Sequence, residues 1–182
     1  MKLIILDRDG VINKDSDEYI KSPEEFIPIP GSLEAIARLN HAGYIVVVIS
    51  NQSGIARRYF DTETLHNIHE KLRNLLNDIG GHIDVLLYCP HGPDDKCKCR
   101  KPKPGLFEEL KNRLHVRLDN TIAVGDSLRD LQAAEASGAK PFLVKTGKGM
   151  RTLRKNTLSK TIPVYGSLAD VVNDLLSQEE KE

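Results

Sequence analysis

The chain has 182 residues, 40% of them hydrophobic and 29% charged, enough for one domain that buries roughly two-thirds of its unfolded surface. Its 26 Lys+Arg and 26 Asp+Glu cancel, which argues against a nucleic-acid binder, since such proteins carry a basic excess or stripe. The apolar run Leu3–Leu6 is too short for a secretory core, and no stretch approaches the roughly 18 apolar residues of a membrane span, so the expectation is a monomeric cytoplasmic protein that does not engage membranes.

In chain order, Leu3-Ile4-Ile5-Leu6 reads as a strand buried on both faces and ended by Asp7. The acidic stretch Asn13 to Lys21 (NKDSDEYIK) follows. Pro30-Gly31-Ser32 then starts a helix whose Leu33, Ile36, Ala37 and Leu39 share a face, with Gly43 just past its end. Tyr44 to Ile49 is a β-branched strand stopped by Ser50-Asn51. An amphipathic helix is predicted from Thr62 to Ile79 through Leu65, Ile68, Leu72, Leu75, Leu76 and Ile79. Its His66 and His69 read as packed or solvated side chains rather than a metal pair.

Val85 to Tyr88 forms a third strand that enters a cysteine-rich loop, and Pro104-Gly105 opens a helix carrying Leu106, Phe107, Leu110 and Leu114. Thr121 to Val124 is a fourth strand, stopped by Gly125-Asp126; a helix runs on to Gly138, and Phe142 to Val144 is a fifth strand. Ser167, with Asp170 three positions on, caps a last helix. The tail from 178 to 182 is expected to fray. Alternating strands and helices imply crossovers, a mainly parallel sheet and a three-layer α/β/α sandwich, built as a single domain over residues 1–182. In such sheets the functional residues lie at the carboxyl ends of the strands.

Those ends deliver Asp7-Arg8-Asp9-Gly10, Ser50-Asn51-Gln52-Ser53, Cys89 and Gly125-Asp126. Carboxylates converging on one rim repel unless a cation sits between them. Hard oxygen ligands suit Mg²⁺, which keeps waters and recruits phosphate. For Asp126 alone, a strand end or helix cap is as good a reading as a functional one. Asp7 and Asp9, flanking a basic residue directly after a buried strand, are not accounted for that way.

All three cysteines and one of the six histidines fall within Cys89, His91, Cys97 and Cys99. One residue separates Cys97 from Cys99, too close for a relaxed mutual disulfide. Three thiolates and an imidazole make a tetrahedral structural zinc set, with redox switching as the alternative. Arg100 and Lys101 follow the last ligand directly, so a zinc clamp would fix both cations toward the rim and take no part in the chemistry itself.

DRDGVIN, ISNQSG, CRKPKPG and VGDS, in this order between Lys2 and about Lys148, resemble the four motifs of haloacid-dehalogenase superfamily phosphatases. The Cys-x-His and Cys-x-Cys pairs make the resemblance closer to heptose-bisphosphate and histidinol-phosphate phosphatases. The resemblance implies a haloacid-dehalogenase-like fold and Mg-dependent phosphomonoester hydrolysis, acting on a small phosphorylated sugar of the lipopolysaccharide core or, alternatively, on histidinol phosphate. Asp7 would be the nucleophile and Asp9 the general acid and base, with Mg²⁺ held by Asp7, the carbonyl of Asp9 and Asp126. Ser50 and neighbouring groups of Asn51, Gln52 and Ser53 would hold the phosphoryl group beside Lys101, with Lys103 the weaker candidate for that lysine. With about forty residues between Asp9 and Ser50, no separate cap domain is expected, and loops must read the substrate. Asp15 and Tyr19 are candidates for its hydroxyls and Arg100 for a second anionic group. Ser127 stands where relatives often carry a basic residue. A phospho-Asp receiver domain shares the acid-rich pocket, but its acid pair and phosphorylated Asp come from different strands.

Overall fold

The structure, a computed structural model, describes residues 1–155 and 157–179. The elements are β1 (Lys2–Leu6), α1 (Ser32–His41), β2 (Tyr44–Asn51), α2 (Thr62–Asn77), β3 (Val85–Cys89), α3 (Gly105–Leu114), β4 (Ile122–Gly125), α4 (Leu128–Ser137), β5 (Lys140–Val144), α5 (Gly149–Arg154), β6 (Val164–Tyr165) and α6 (Leu168–Glu179). The strands form one sheet in the order β3-β2-β1-β4-β5-β6, every pairing parallel.

Alternation along the central strands sorts the core into two layers. Leu3, Ile5, Val47 and Ile49 face α3 and α4, meeting Leu106, Phe107, Leu110, Ala133 and Ala134. Ile4, Leu6, Val46 and Val48 face the opposite side, against Ile36 and Leu39 of α1, Ile68 and Leu72 of α2, and Val171 and Val172 of α6. This is the expected three-layer sandwich. Residues 7–31 and 52–61 carry no helix or strand of their own, only isolated bridges at Asp9, Asn13 and Pro28, so no cap interrupts the domain. Winding runs outward from β1 to β3, then returns to β4 on the other flank of β1. That reversal opens a crevice beyond the carboxyl ends of β1 and β4, the place where open α/β sheets bind ligands.

The differences from the sequence reading are local. The apolar pattern predicted α2 through Ile79, but the helix stops at Asn77 and Ile79 is 41% exposed. Gly80, at φ 74, and Gly81 close it: the Gly81 amide reaches Leu76 O at 2.8 Å and the Gly80 amide Asn77 O at 3.1 Å, a Schellman turn that needs a left-handed residue. The short α5 and β6 were not foreseen, since six and two residues are too few to show a period. The tail expected to fray from 178 begins within α6. Gln178 and Glu179 complete α6, where Glu179 accepts from Lys2 Nζ at 2.7 Å and Tyr44 Oη at 2.6 Å; residues 180–182 lie outside the described ones.

Leu72 is wholly buried under the sheet whereas its helix neighbour Leu75 is only half-buried. Leu72→Ala should therefore lower unfolding free energy by about 2–5 kcal/mol in urea titrations, and Leu75→Ala by clearly less.

Candidate active site

Asp7 leaves β1 at the crevice, its amide bonded to Val124 O at 2.9 Å and its side chain 11% exposed. Lys101 reaches it from the cysteine loop. The ammonium donates to Asp7 Oδ1 at 2.9 Å and Ile49 O at 2.8 Å, and pairs with Asp130 Oδ1 at 2.7 Å, so all three of its hydrogens are committed. Burial by itself would neutralise this lysine, but Asp130 and Asp7 reverse the effect and hold its pKa above the ordinary range. The backbone is held as well: Lys101 N donates to Asn51 Oδ1 at 3.0 Å and Asn51 Nδ2 donates to Lys101 O at 3.1 Å. Lys103 bonds Cys97 O at 2.6 Å and stays exposed, so Lys101 is the lysine of the site.

Asp126, at the end of β4, and Asp130, on the first turn of α4, complete a carboxylate cluster in which one oxygen from each of Asp7, Asp126 and Asp130 lies within 4.8 Å of the others. Gly10 makes this approach possible. It sits at φ 88, and a Cβ there would fall 2.0 Å from Asp126 Oδ2, so only glycine admits the turn. Burial, then repulsion from Asp130 and Asp7, pushes Asp126 up to about 9. Burial and the Asp130 charge likewise raise Asp7 to about 7, even with Lys101 opposing them. Asp130 is lower than usual: Lys101 and the Ser127 hydrogen bonds overcome its burial.

Crowded carboxylates whose charge is only partly compensated fit a divalent cation with oxygen ligands. Asp130 contributes least to such a site, because Oδ1 is taken by Lys101 and Oδ2 by the amide and hydroxyl of Ser127 at 3.0 and 2.6 Å. Asp7 and Asp126 are the carboxylates best placed to hold the ion. The sequence reading missed Asp130, although an acid four positions after Asp126 is the available signal, one helical turn along α4.

Asp9 also stands at the rim, but its carboxylate turns away from the cluster. It accepts from Asn13 Nδ2 at 2.9 Å, Gln52 Nε2 at 3.0 Å and Arg8 Nη2 at 2.9 Å. Burial would raise its pKa, yet the Arg8 charge and these hydrogen bonds outweigh that and hold it below the usual carboxylate range. Ser50 is 1% exposed and accepts from Gln52 Nε2 at 2.8 Å. The β2 end therefore faces the crevice through Asn51 and Ser53 rather than through Ser50.

The crevice walls bring in cations that the sequence reading did not single out. Asp15 and Tyr19 line it, and Asp15 is paired with Lys148 Nζ at 3.0 Å. The Lys148 amide in turn donates to Asp126 Oδ2 at 2.7 Å, and Thr146 Oγ1 donates to Gly10 O at 2.6 Å, so the β5–α5 turn joins the 13–21 loop to the carboxylates. Asp17 forms a two-point pair with Arg151 at 2.8 and 2.7 Å. Tyr19, at φ 68, packs its ring 5.2 Å from that of Tyr59. Arg100 and Arg129 complete the mouth. Ser127 caps α4, and Arg129, two residues later, lines the mouth.

In the cysteine loop, Sγ of Cys89, Cys97 and Cys99 and Nδ1 of His91 lie within 4.8 Å of one another. Individual separations are 3.1 Å (Cys89–Cys99), 3.2 Å (His91–Cys99), 3.5 Å (Cys89–His91) and 3.9 Å (Cys89–Cys97). All three cysteines are free. These spacings bracket the edges of about 3.5–3.8 Å implied by a tetrahedron of Zn–N and Zn–S bonds. Burial pushes Cys89 up to about 12, whereas the Arg100 amide and neighbouring thiols overcome burial and bring Cys97 down to about 7. A soft divalent ion would draw all three into the thiolate form. The loop closes tightly onto α3, where a Cβ on Gly105 would meet Lys98 O at 2.2 Å.

Fold and rim together are those of the haloacid-dehalogenase-like hydrolases, and residues 98–174 match a family model described as HAD-hydrolase-like. D-glycero-β-D-manno-heptose-1,7-bisphosphate 7-phosphatases are similar over nearly the whole chain: that of Bordetella bronchiseptica is 53% identical, covering 98% of this chain and 99% of its own, and that of Pseudomonas putida is 52% identical, covering 97% and 100%. The crystal structure of D,D-heptose 1,7-bisphosphate phosphatase from B. bronchiseptica, complexed with magnesium and phosphate, superposes with a TM-score of 0.96 at 53% identity over 98% of this chain and 99% of that one. The corresponding Burkholderia thailandensis structure gives 0.77 at 44% identity, over 97% and 99%. The chain belongs to this family of heptose-bisphosphate phosphatases. No helix among the described residues is long and apolar enough to cross a membrane.

Metal analysis of the purified protein should find one zinc per chain, and Cys99→Ser should lose it. Circular dichroism should show the sheet retained in that variant, while turnover falls because Arg100 and Lys101 are no longer held.

Proposed function

We propose that this phosphatase removes the C7 phosphate of D-glycero-β-D-manno-heptose 1,7-bisphosphate, releasing inorganic phosphate and the 1-phosphate, by way of an aspartyl-phosphate on Asp7. The observation that carries the mechanism is the Lys101 ammonium shared between Asp7 and Asp130, beside an acid two positions on at Asp9. The substrate rests on the near-full-length relatives and on the cationic mouth.

In this reading an Asp7 carboxylate oxygen attacks phosphorus and the bond to the C7 oxygen breaks. Asp9 gives its proton to the leaving alkoxide. It then takes a proton from the water that attacks the aspartyl-phosphate, and Asp7 leaves as a carboxylate. The Arg8, Asn13 and Gln52 contacts keep Asp9 ionised at rest, ready for the second step. The dianionic phosphate that arrives before the first step raises its proton affinity. Lys101 and the amides after β2 stabilise charge on the transferring group. Mg²⁺ held by Asp7, Asp126 and the Asp9 carbonyl would neutralise phosphoryl oxygens and relieve the carboxylate repulsion.

Arg100 and Arg129 support the choice of a bisphosphate. Arg100 is held below its ordinary value, first by partial burial and then by the like charge of Arg129. Arg129 is exposed and has no carboxylate partner among the described ion pairs. Two guanidiniums at one mouth suit a second phosphate, while Asp15 and Tyr19 are positioned to read ring hydroxyls. The same reading takes the protein to be a monomeric single domain working in the cytoplasm. A reducing compartment keeps the three thiols free for zinc.

Asp7→Asn should abolish phosphate release, and Asp9→Asn should lower kcat by about 10²- to 10⁴-fold while still binding Mg²⁺ in calorimetry. Activity should vanish on EDTA treatment and return with Mg²⁺. Substantial turnover by Asp7→Asn would remove the covalent route.

Across a panel of sugar bisphosphates, monophosphates and histidinol phosphate, the heptose bisphosphate should give the highest kcat/KM. Arg100→Ala should cut that value by about 10- to 100-fold, the equivalent of ~1.5–3 kcal/mol for a charge-assisted contact, and barely change turnover of a monophosphate. Better turnover of histidinol phosphate would overturn the substrate while leaving the phosphatase mechanism intact.

A further inference from the structure

Arg8 lies between the two rim aspartates, yet its side chain is wholly buried and heads the largest fully buried side chains among the described residues. Alternation along the chain sends Asp7 and Asp9 toward the crevice and Arg8 into the layer beneath α2. A guanidinium in that position must have its donors satisfied, since an unpaired buried N–H is costly and a charged one more so. Nε and Nη2 are used on Asp9, at 3.1 Å to Oδ1 and at 2.9 and 3.2 Å to Oδ1 and Oδ2. The Phe26 ring sits 5.9 Å from the guanidinium carbon. The remaining nitrogen, Nη1, points at His69 Nε2, 3.2 Å away.

His69 is a core histidine, 4% exposed on α2 between the sheet-facing Ile68 and Leu72, with its ring 6.1 Å from that of Tyr88. Arg8 can only donate, so Nε2 must accept, and the imidazole must be neutral with its hydrogen on Nδ1. Burial, reinforced by the Arg8 charge, pushes His69 down to about 3, in keeping with a neutral ring. Adjacent side chains such as Arg8 and Asp9 could pair in several orientations. Asn13 and Gln52 hold the carboxylate from its other side, and an acceptor from another element removes the freedom left to the guanidinium.

We propose that His69 is a positioning residue for the proton-transfer step: by accepting from Arg8 Nη1 it locks the guanidinium, and through it the direction in which Asp9 presents its carboxyl oxygens to the leaving group. The proposal rests on Asp9 being the acid and base. His69 itself touches neither substrate nor metal.

A leaving-group comparison separates this role from a merely structural one. A sugar alkoxide must be protonated as it departs, whereas p-nitrophenolate leaves without help, and kcat/KM reports the steps up to departure. His69→Leu and His69→Phe remove the acceptor. Each should lower kcat/KM on the sugar phosphate by about 10- to 100-fold but leave p-nitrophenyl phosphate within about threefold. His69→Gln, whose amide oxygen can accept in the same place, should stay near wild type on both. Asp9→Asn calibrates the comparison: if it loses both substrates equally, the role given to Asp9 has failed rather than that of His69. With Asp9→Asn selective, an equal loss on both substrates in the apolar variants, or no loss, would overturn the proposal. Nitrogen-15 NMR of the wild-type imidazole tests it without any variant. A neutral ring protonated on Nδ1 is expected, and a ring charged or protonated on Nε2 at neutral pH would overturn it.

Discussion

The Lys101 ammonium ties together parts of the chain that the sequence keeps far apart: the end of β1 through Asp7, the end of β2 through Ile49 O, and the first turn of α4 through Asp130. A buried, strongly hydrated cation is tolerated only with full hydrogen bonding and paired charge, and each requirement is met by a different segment. Much of the surrounding architecture serves that placement. Asn51 grips the Lys101 backbone on both sides, the Cys/His cluster fixes the loop just before it, and Gly105 lets the loop fold down on α3 without a clash. Loss of Asp7 or Asp130 would leave the buried ammonium with too little opposing charge.

Asp7 and Asp9 show how two like groups, two residues apart, acquire opposite electrostatics. Asp7 faces Asp126 and Asp130, and its proton affinity is raised; Asp9 faces Arg8, Asn13 and Gln52, and its affinity is lowered. A cation among the first set would favour the ionised nucleophile, while the second set already holds an ionised base. The division arises because Arg8 lies beneath the rim, where its guanidinium pairs with Asp9 and not with Asp7.

In place of a cap, the loop from Asn13 to Lys21 is held across the crevice by contacts from both sides. Asp15 and Asp17 lean on Lys148 and Arg151, and Tyr19 leans on Tyr59. The outer pair, Asp17–Arg151, is about three-fifths exposed on both partners, so it guides the loop more than it stabilises the fold. Lys148 matters differently. Its side chain meets the loop and its amide meets Asp126, so one residue links the loop to the carboxylates.

The amino-acid sequence by itself determined the layers and the ends of the strands. Short apolar runs and β-branched residues mark β1 and β2, and the acids, serine and cysteines that stop the strands must lie on one rim of a parallel sheet. Asp7, Asp9, Asp126 and the four Cys/His residues stood out for that reason, while a place for Lys101 beside the phosphoryl group came only through resemblance to a known family and its pairing with Asp7 only from the structure. Tertiary structure alone decided the rest. Asp130, Arg129, Lys148 and His69 sit on helices or turns where periodicity reports only which face is buried, and Ser50 stands at the expected strand end yet turns inward to Gln52. Local pattern follows from the 3.6- and 2-residue repeats of the backbone. Which charges end up sharing a proton, a lysine or a metal depends on distances of a few ångströms between segments far apart in sequence, and only the folded packing sets those distances.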